Sequence, residues 1–338
     1  MKAIAVTGAA GLLGQRVIET LANDASVDRV IAIADAPVSP NPRVEYCHGG
    51  LVGTGTVAYL AGCTVAVHIG SGVLEHELEA FSRLLEAADV AGCQHLVVVS
   101  SASVYGARPD NPIPITECSP IHPLAGMELA MVKAEIEQRA QTWAQANGAR
   151  VAVLRPVVTL GARGAADPCE SQLRETTLFR PGLTDPPVQF VHLDDLASAV
   201  ALAASKPLEG PFNVAPDGWI EPDVFNDLVA EKSSRVGHSV RSRLLRLLTQ
   251  LDTKDTIQSH LGAYGLHPWV VANDRLKAQG WVPTHTNEEV YVGGNPLPWW
   301  RKVGHKRRQE VALVAAVSAG AIVVAGLIFI ARRVLGNR

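Results

Sequence analysis

Through its first half the chain alternates short apolar runs rich in β-branched residues with longer stretches of helical period. Ala3 to Val6 reads as a buried strand, followed by a turn with Gly8, Gly11 and Gly14 and a helical pattern carried by Val17, Ile18 and Leu21. Arg29 to Ala34, Val44 to His48, Thr64 to Ile69, His95 to Val99 and Arg150 to Leu154 read as further strands. A short helix is expected from Val57 to Leu60. Longer ones are expected from Leu74 to Ala91, with Leu78, Phe81, Leu85 and Ala88 on one face, and from about Glu128 to Asn147. This alternation predicts the α/β class with a doubly wound parallel sheet. Beyond Arg155-Pro156 it loosens, as a smaller lobe would: a strand at Gln189 to His192, a helix at Leu196 to Ala204, and a strand at Pro211 to Val214. A leucine-rich helix at Arg241 to Leu251 and a helix around Asp274 to Gln279 follow, and Asn287 to Pro298 is polar and reads as a linker.

The order strand, glycine turn, helix has a chemical meaning. Glycines let the turn close and let backbone approach a diphosphate, while the helix start offers unpaired N–H groups and positive partial charge. The second strand ends on Asp35, twenty-one positions after Gly14, where such folds place the carboxylate that binds an adenosine ribose. A carboxylate there repels a 2′-phosphate, so NAD is preferred over NADP. In a doubly wound sheet ligands collect at the carboxyl ends of strands, which puts Gly8–Gly14, Asp35, Ile69–Gly72 and Ser100–Ser103 along one edge. The expected architecture is a Rossmann-type domain over 1–156 and a smaller substrate lobe over 157–290, interleaved with it.

Charge and composition change the picture mainly at the far end. The net charge of −3 gives no reason to expect nucleic acid as a partner. Five scattered cysteines without a C-x-x-C pair indicate neither a disulfide framework nor a zinc site, and fit a reducing cytosol. The first strand starts at once, so no signal peptide is expected. Apolar residues make up 47% of the chain and charged ones 19%, which leans toward membrane association. Val311 to Ile330 carries no charge and is long enough to span a hydrocarbon core of about 30 Å as a helix. The expected tail is thus a basic juxtamembrane linker (291–310), a transmembrane helix (311–330) and a short basic end (331–338). Both flanks are cationic, and their balance favours slightly a cytoplasmic main domain, anchored to the cell membrane by one pass. Trp299 and Trp300 suit the headgroup level.

These residues resemble the extended short-chain dehydrogenase/reductases, the NAD-dependent sugar epimerases, dehydratases and 3β-hydroxysteroid dehydrogenases. The likeness runs over about residues 2 to 290. It rests on Thr7-Gly-x-x-Gly-x-x-Gly14, Asp35, Ser100-Ser-Ala-Ser-Val-Tyr-Gly106, Ile115-Thr-Glu117, Lys133, Leu154-Arg-Pro156 with Gly161, Phe190-Val-His-Leu-Asp-Asp195 and Phe212-Asn-Val214. The resemblance implies a cofactor site made of Thr7, Gly8, Gly11, Leu12, Leu13, Gly14, Asp35, Ile69, Gly70, Ser100, Lys133 and Pro156. It implies Ser101 and Lys133 as catalytic residues: the serine bonds the substrate oxygen, and the lysine lowers a tyrosine's pKa while gripping the nicotinamide ribose. It makes His192, Asp194 and Asp195 lobe-joining and capping residues rather than metal ligands.

The tyrosine of that family stands one helical turn before the lysine, and that position is Leu129. No tyrosine lies between Gly106 and Lys133. Gly50 replaces an acidic residue expected against adenine, Glu77 stands where an asparagine is expected, and the loop after the fourth strand is short. Loss of the proton carrier ordinarily removes several orders of magnitude in rate. Two readings follow. The favoured one is a pseudo-enzyme: a membrane-tethered, NAD-binding sensor or partner protein, with a membrane protein or a second copy as partner. The other is an active NAD-dependent oxidoreductase or epimerase on a nucleotide- or lipid-linked sugar or sterol-like lipid. Its proton would be carried by Tyr105, His122 or Glu128.

Overall fold

Residues 3–6 and 30–34 are apolar on both strand faces, which is what a sheet covered by helices on both sides demands. In the computed structural model they form β1 (Ala3–Thr7) and β2 (Arg29–Ala34), paired in parallel. The structure describes residues 2–36, 41–49, 56–70, 74–161, 164–165, 173, 177, 186–232 and 263–294. Met1–Asn295 make one compact unit, and Pro296–Arg338 lie outside the described residues. The expected anchor at 311–330 and the helix at Arg241–Leu251 therefore fall outside as well. Among the described residues, no helix is long and apolar enough to cross a membrane.

Five further strands complete the main sheet: β3 (Val44–His48), β4 (Val65–His68), β5 (His95–Val99), β6 (Arg150–Pro156) and β10 (Gly210–Val214). Their order is β10-β6-β5-β4-β1-β2-β3, all neighbours parallel. From β1 the chain winds out through β2 and β3, then returns to the other side of β1 at β4. That reversal opens a crevice between the carboxyl ends of β1 and β4, the place where open α/β sheets take ligands. A second sheet joins β7 (Val158–Gly161) to β8 (Gly164–Ala165) and β9 (Phe190–His192).

Helices cover both faces. After α1 (Leu12–Asn23) come α2 (Thr56–Tyr59), α3 (Leu74–Ala91) and α4 (Glu128–Asn147). Then follow α5 (Leu193–Ser205), α6 (Pro222–Lys232), α7 (Ala263–Leu266), α8 (Asp274–Lys277) and α9 (Asn287–Gly294). α1 packs against α5, and α3 packs against both α2 and α4. Val17, Ile18 and Leu21 are buried, as their spacing predicts.

Three expectations need correction. The buried line of α3 is Glu77, Ala80, Phe81, Leu84, Ala87 and Ala88, while Leu78 and Leu85 are half-buried. Ala80, Phe81, Leu84, Ala87 and Ala88 share a core cluster with the strand residues Ile31, Ala66 and Leu96, so the face is rotated from the one the leucines suggest. The stretch from Asn287, expected as linker, is helical to Gly294. There Val290 and Tyr291 are buried, Tyr291 lies 4.9 Å from the Phe225 ring, and Asn287 accepts the Phe190 N–H. Finally, β6 runs two residues beyond Leu154, because Arg155 and Pro156 pair with Asn213 and Val214 of β10.

Candidate functional site

The glycine turn leaves β1 in a left-handed conformation at Gly8 (φ 70°). A Cβ at Gly8 would collide with the Gly70 carbonyl oxygen. One at Gly14 would strike the Gly8 carbonyl and come within 2.7 Å of the Ala9 Cα. These positions are closed by backbone, which cannot step aside. A Cβ at Gly11, by contrast, would meet only the Gly8 oxygen, at 3.4 Å. Gly11 caps α1 without a side-chain acceptor, and the first turn holds no acidic residue. The first-turn amides of Leu12, Leu13 and Gly14 thus present the donor-rich, positive helix end that favours an anion. The cradle fits a dinucleotide diphosphate. Asp35 stands exposed at the end of β2, close to the turn because the Ala9 N–H bonds the Ile33 carbonyl at 3.3 Å. On the far side of Asp35, β3 ends at His48, whose carbonyl accepts the Tyr59 hydroxyl at 2.9 Å; Gly50 lies outside the described residues.

Across the crevice Thr7 is buried, its hydroxyl 3.1 Å from His68 Nδ1. Ile69 is buried, and Gly70 adopts φ 126°. At the end of β5, Ser101 starts a single 3₁₀ turn (Ala102–Tyr105) and its Oγ accepts the Ser103 N–H at 3.2 Å and the Ser103 hydroxyl at 2.9 Å. Its own O–H remains to donate elsewhere. Pro156 is buried where β6 pairs with Val214. Thr7, Gly8, Asp35, Ile69, Gly70, Ser100, Ser101 and Pro156 therefore share the carboxyl edge of one sheet.

Lys133 is buried on α4, and its Nζ lies 3.2 Å from Oε1 of Glu77. One turn earlier Leu129 is 2% exposed and belongs to the apolar core. Of the other candidate proton carriers, His122 and Glu128 are exposed. Tyr105 is buried, donates to Asn213 Oδ1 at 2.8 Å and accepts from Arg155 Nη1 at 2.7 Å. Burial pushes its pKa up, although Arg155 works the other way. His192 caps α5 by accepting the Asp194 N–H at 3.2 Å. Asp195 is buried and accepts the Thr284 and His285 N–H groups, tying α5 to the segment before α9.

A buried polar chain behind the serines was missed by sequence reasoning. Ser100 donates to Glu137 Oε1 at 2.5 Å, and Glu137 receives Arg155 through Nη2 at 2.6 Å and Nε at 3.1 Å. Arg155 continues to Tyr105, and Tyr105 to Asn213, whose N–H bonds Glu117 at 2.9 Å. Burial opposes the Arg155 charge, but the bonds and charge of Glu137 outweigh it and raise the pKa above the ordinary arginine value. The available signal was an arginine inside an apolar strand, since such a charge must have a partner.

A parallel sheet with a glycine cradle at its reversal point defines the dinucleotide-binding class of α/β proteins. Residues 4–215 match the model of the NAD dependent epimerase/dehydratase family, and the chain belongs to that family. It is 26% identical over 236 residues to an uncharacterized UDP-glucose epimerase of Bacillus subtilis, YtcB, covering 60% of this chain and 73% of the relative. In fold it resembles a dTDP-glucose 4,6-dehydratase of Streptomyces venezuelae solved with NAD (TM-score 0.61, 19% identity, 89% of this chain and 97% of that one). It also resembles the UDP-glucose 4-epimerase of Thermotoga maritima (TM-score 0.62, 18% identity, 89% and 99%).

Proposed function

We propose that the protein binds NAD across the carboxyl edge of its main sheet and serves as a membrane-tethered sensor or partner protein rather than a catalyst. The diphosphate would lie on the Gly8–Gly14 turn, with Asp35 on the adenosine ribose and Lys133 at the nicotinamide ribose. When bound, NAD would supply the capacity to accept or donate a hydride. One observation carries the reading. The place of the proton carrier is filled by Leu129, packed in the apolar core one turn from a lysine whose charge is already paired with Glu77. Ser101 and Lys133 then serve the cofactor. NAD-bound relatives of the same fold support the choice of cofactor, and Asp35 supports NAD over NADP.

The competing reading, turnover of a nucleotide- or lipid-linked sugar, draws on the relatives' names. It lacks a proton carrier whose surroundings suit the task, since Tyr105 is engaged on both sides. Leu129→Tyr decides between them. With UDP-glucose, dTDP-glucose and a lipid-linked sugar, wild type should bind NAD without turnover, and any activity should arise only in the variant. Vigorous turnover by wild type contradicts the proposal. Tethering rests on the uncharged run at 311–330 with its cationic flanks. The full chain should sediment with membranes and resist an alkaline wash; release by that wash would refute the anchor.

A further inference from the structure

Glu77 occupies the sheet-facing line of α3, where its neighbours are alanine, phenylalanine and leucine, and it is 2% exposed. A carboxylate held that far from water requires charged or hydrogen-bonding company. Its Oε1 stands 3.2 Å from Lys133 Nζ and 3.3 Å from His68 Nε2. It also lies 2.8 Å from where a Cβ of Gly70 would sit, and Lys133 Nζ lies 3.4 Å from the same point. Gly70 is the residue whose carbonyl closes the Cβ position of Gly8. The pair is thus separated from the glycine turn by the thickness of one residue without a side chain. It lies inside the crevice that would hold the cofactor.

The oxidised nicotinamide ring carries a positive charge that the reduced ring lacks. A lone buried lysine beside the nicotinamide ribose repels the oxidised form and leaves the reduced form unaffected. With Glu77 opposite it, the two charges cancel locally and the penalty on the cationic ring disappears. We infer that Glu77 is a specificity-determining residue that sets the preference between oxidised and reduced cofactor, by neutralising Lys133 beside the nicotinamide. The inference rests on the NAD-binding reading above: with Lys133 neutralised, the site admits NAD+ without a charge penalty, and no bond is made or broken.

The test measures the Kd of the full-length protein for NAD+ and for NADH separately, by calorimetry and by NADH fluorescence. In Glu77→Gln, the ratio Kd(NAD+)/Kd(NADH) should rise about tenfold or more over wild type, since an uncompensated charge at low dielectric is worth at least that. The double variant Glu77→Gln/Lys133→Met removes both charges and should return the ratio to within about twofold of wild type. Glu77→Asn, a second neutral replacement, should shift the ratio in the same direction and serves if the glutamine variant does not fold. A ratio unmoved in folded Glu77 variants, loss of both cofactor forms together, or a double variant that stays shifted overturns the inference. Wild type binding neither form would instead overturn the NAD reading on which it stands.

Discussion

Removing the Glu137 carboxylate isolates the most heavily engaged cation of the described residues. Arg155 is 5% exposed and gives Nε and Nη2 to Glu137, leaving only the Tyr105 hydroxyl on Nη1 once that carboxylate is gone. A buried charge that loses its partner costs about 3–5 kcal/mol, and the Ser100 hydroxyl loses an acceptor at the same time, for about 1 kcal/mol more. Glu137→Leu should therefore lose about 4–6 kcal/mol in urea denaturation at neutral pH. That is a large part of the roughly 5–15 kcal/mol a domain has. In Glu137→Leu/Arg155→Met no charge is stranded, and most of the loss should return. The comparison separates the worth of the pair from the cost of breaking it. A single-variant loss below about 1 kcal/mol, or a double variant no better than the single, would refute the reasoning.

Other consequences follow from single positions. His95 is 5% exposed and its Nε2 bonds the Leu208 carbonyl at 3.0 Å; burial pushes its pKa down to about 4 from an ordinary 6.5. The unfolded chain thus binds the proton more readily, and stability should fall as pH drops from about 6.5 to 4, by at most about 3 kcal/mol, then level off in this contribution. Denaturant melts of wild type against His95→Gln should show the slope shrinking in the variant; an equal slope sinks the assignment. Gly14→Ala forces a methyl onto the Gly8 carbonyl and the Ala9 Cα, so a loss of about 1–3 kcal/mol with abolished NAD binding is expected by thermal melting and titration. Unchanged binding would show that the turn is not the cradle.

Much of the fold was legible because its signals are local. Arg29–Ala34, Val44–His48, His95–Val99, Leu74–Ala91 and Glu128–Asn147 stand where apolar runs and helical spacing put them. The glycine turn was legible because a close backbone approach leaves only one residue type. What stayed hidden depends on distant partners. Asn287–Gly294 reads as polar linker until Val290 and Tyr291 meet the second sheet and Phe225. Glu77 shows in the sequence only as a departure from the asparagine that the resemblance implies; its burial follows from the face of α3, and its partner Lys133 is 56 residues away. The pairing of Ser100, Glu137 and Arg155 likewise joins three elements that no local pattern connects.

A calorimetric titration of the full-length protein with NAD tests the central claim most directly. The account predicts binding in the micromolar-to-millimolar range, weakened at least about tenfold by Asp35→Ala and lost in Gly14→Ala. A wild-type titration with no binding, or one in which both variants bind as wild type does, would contradict it.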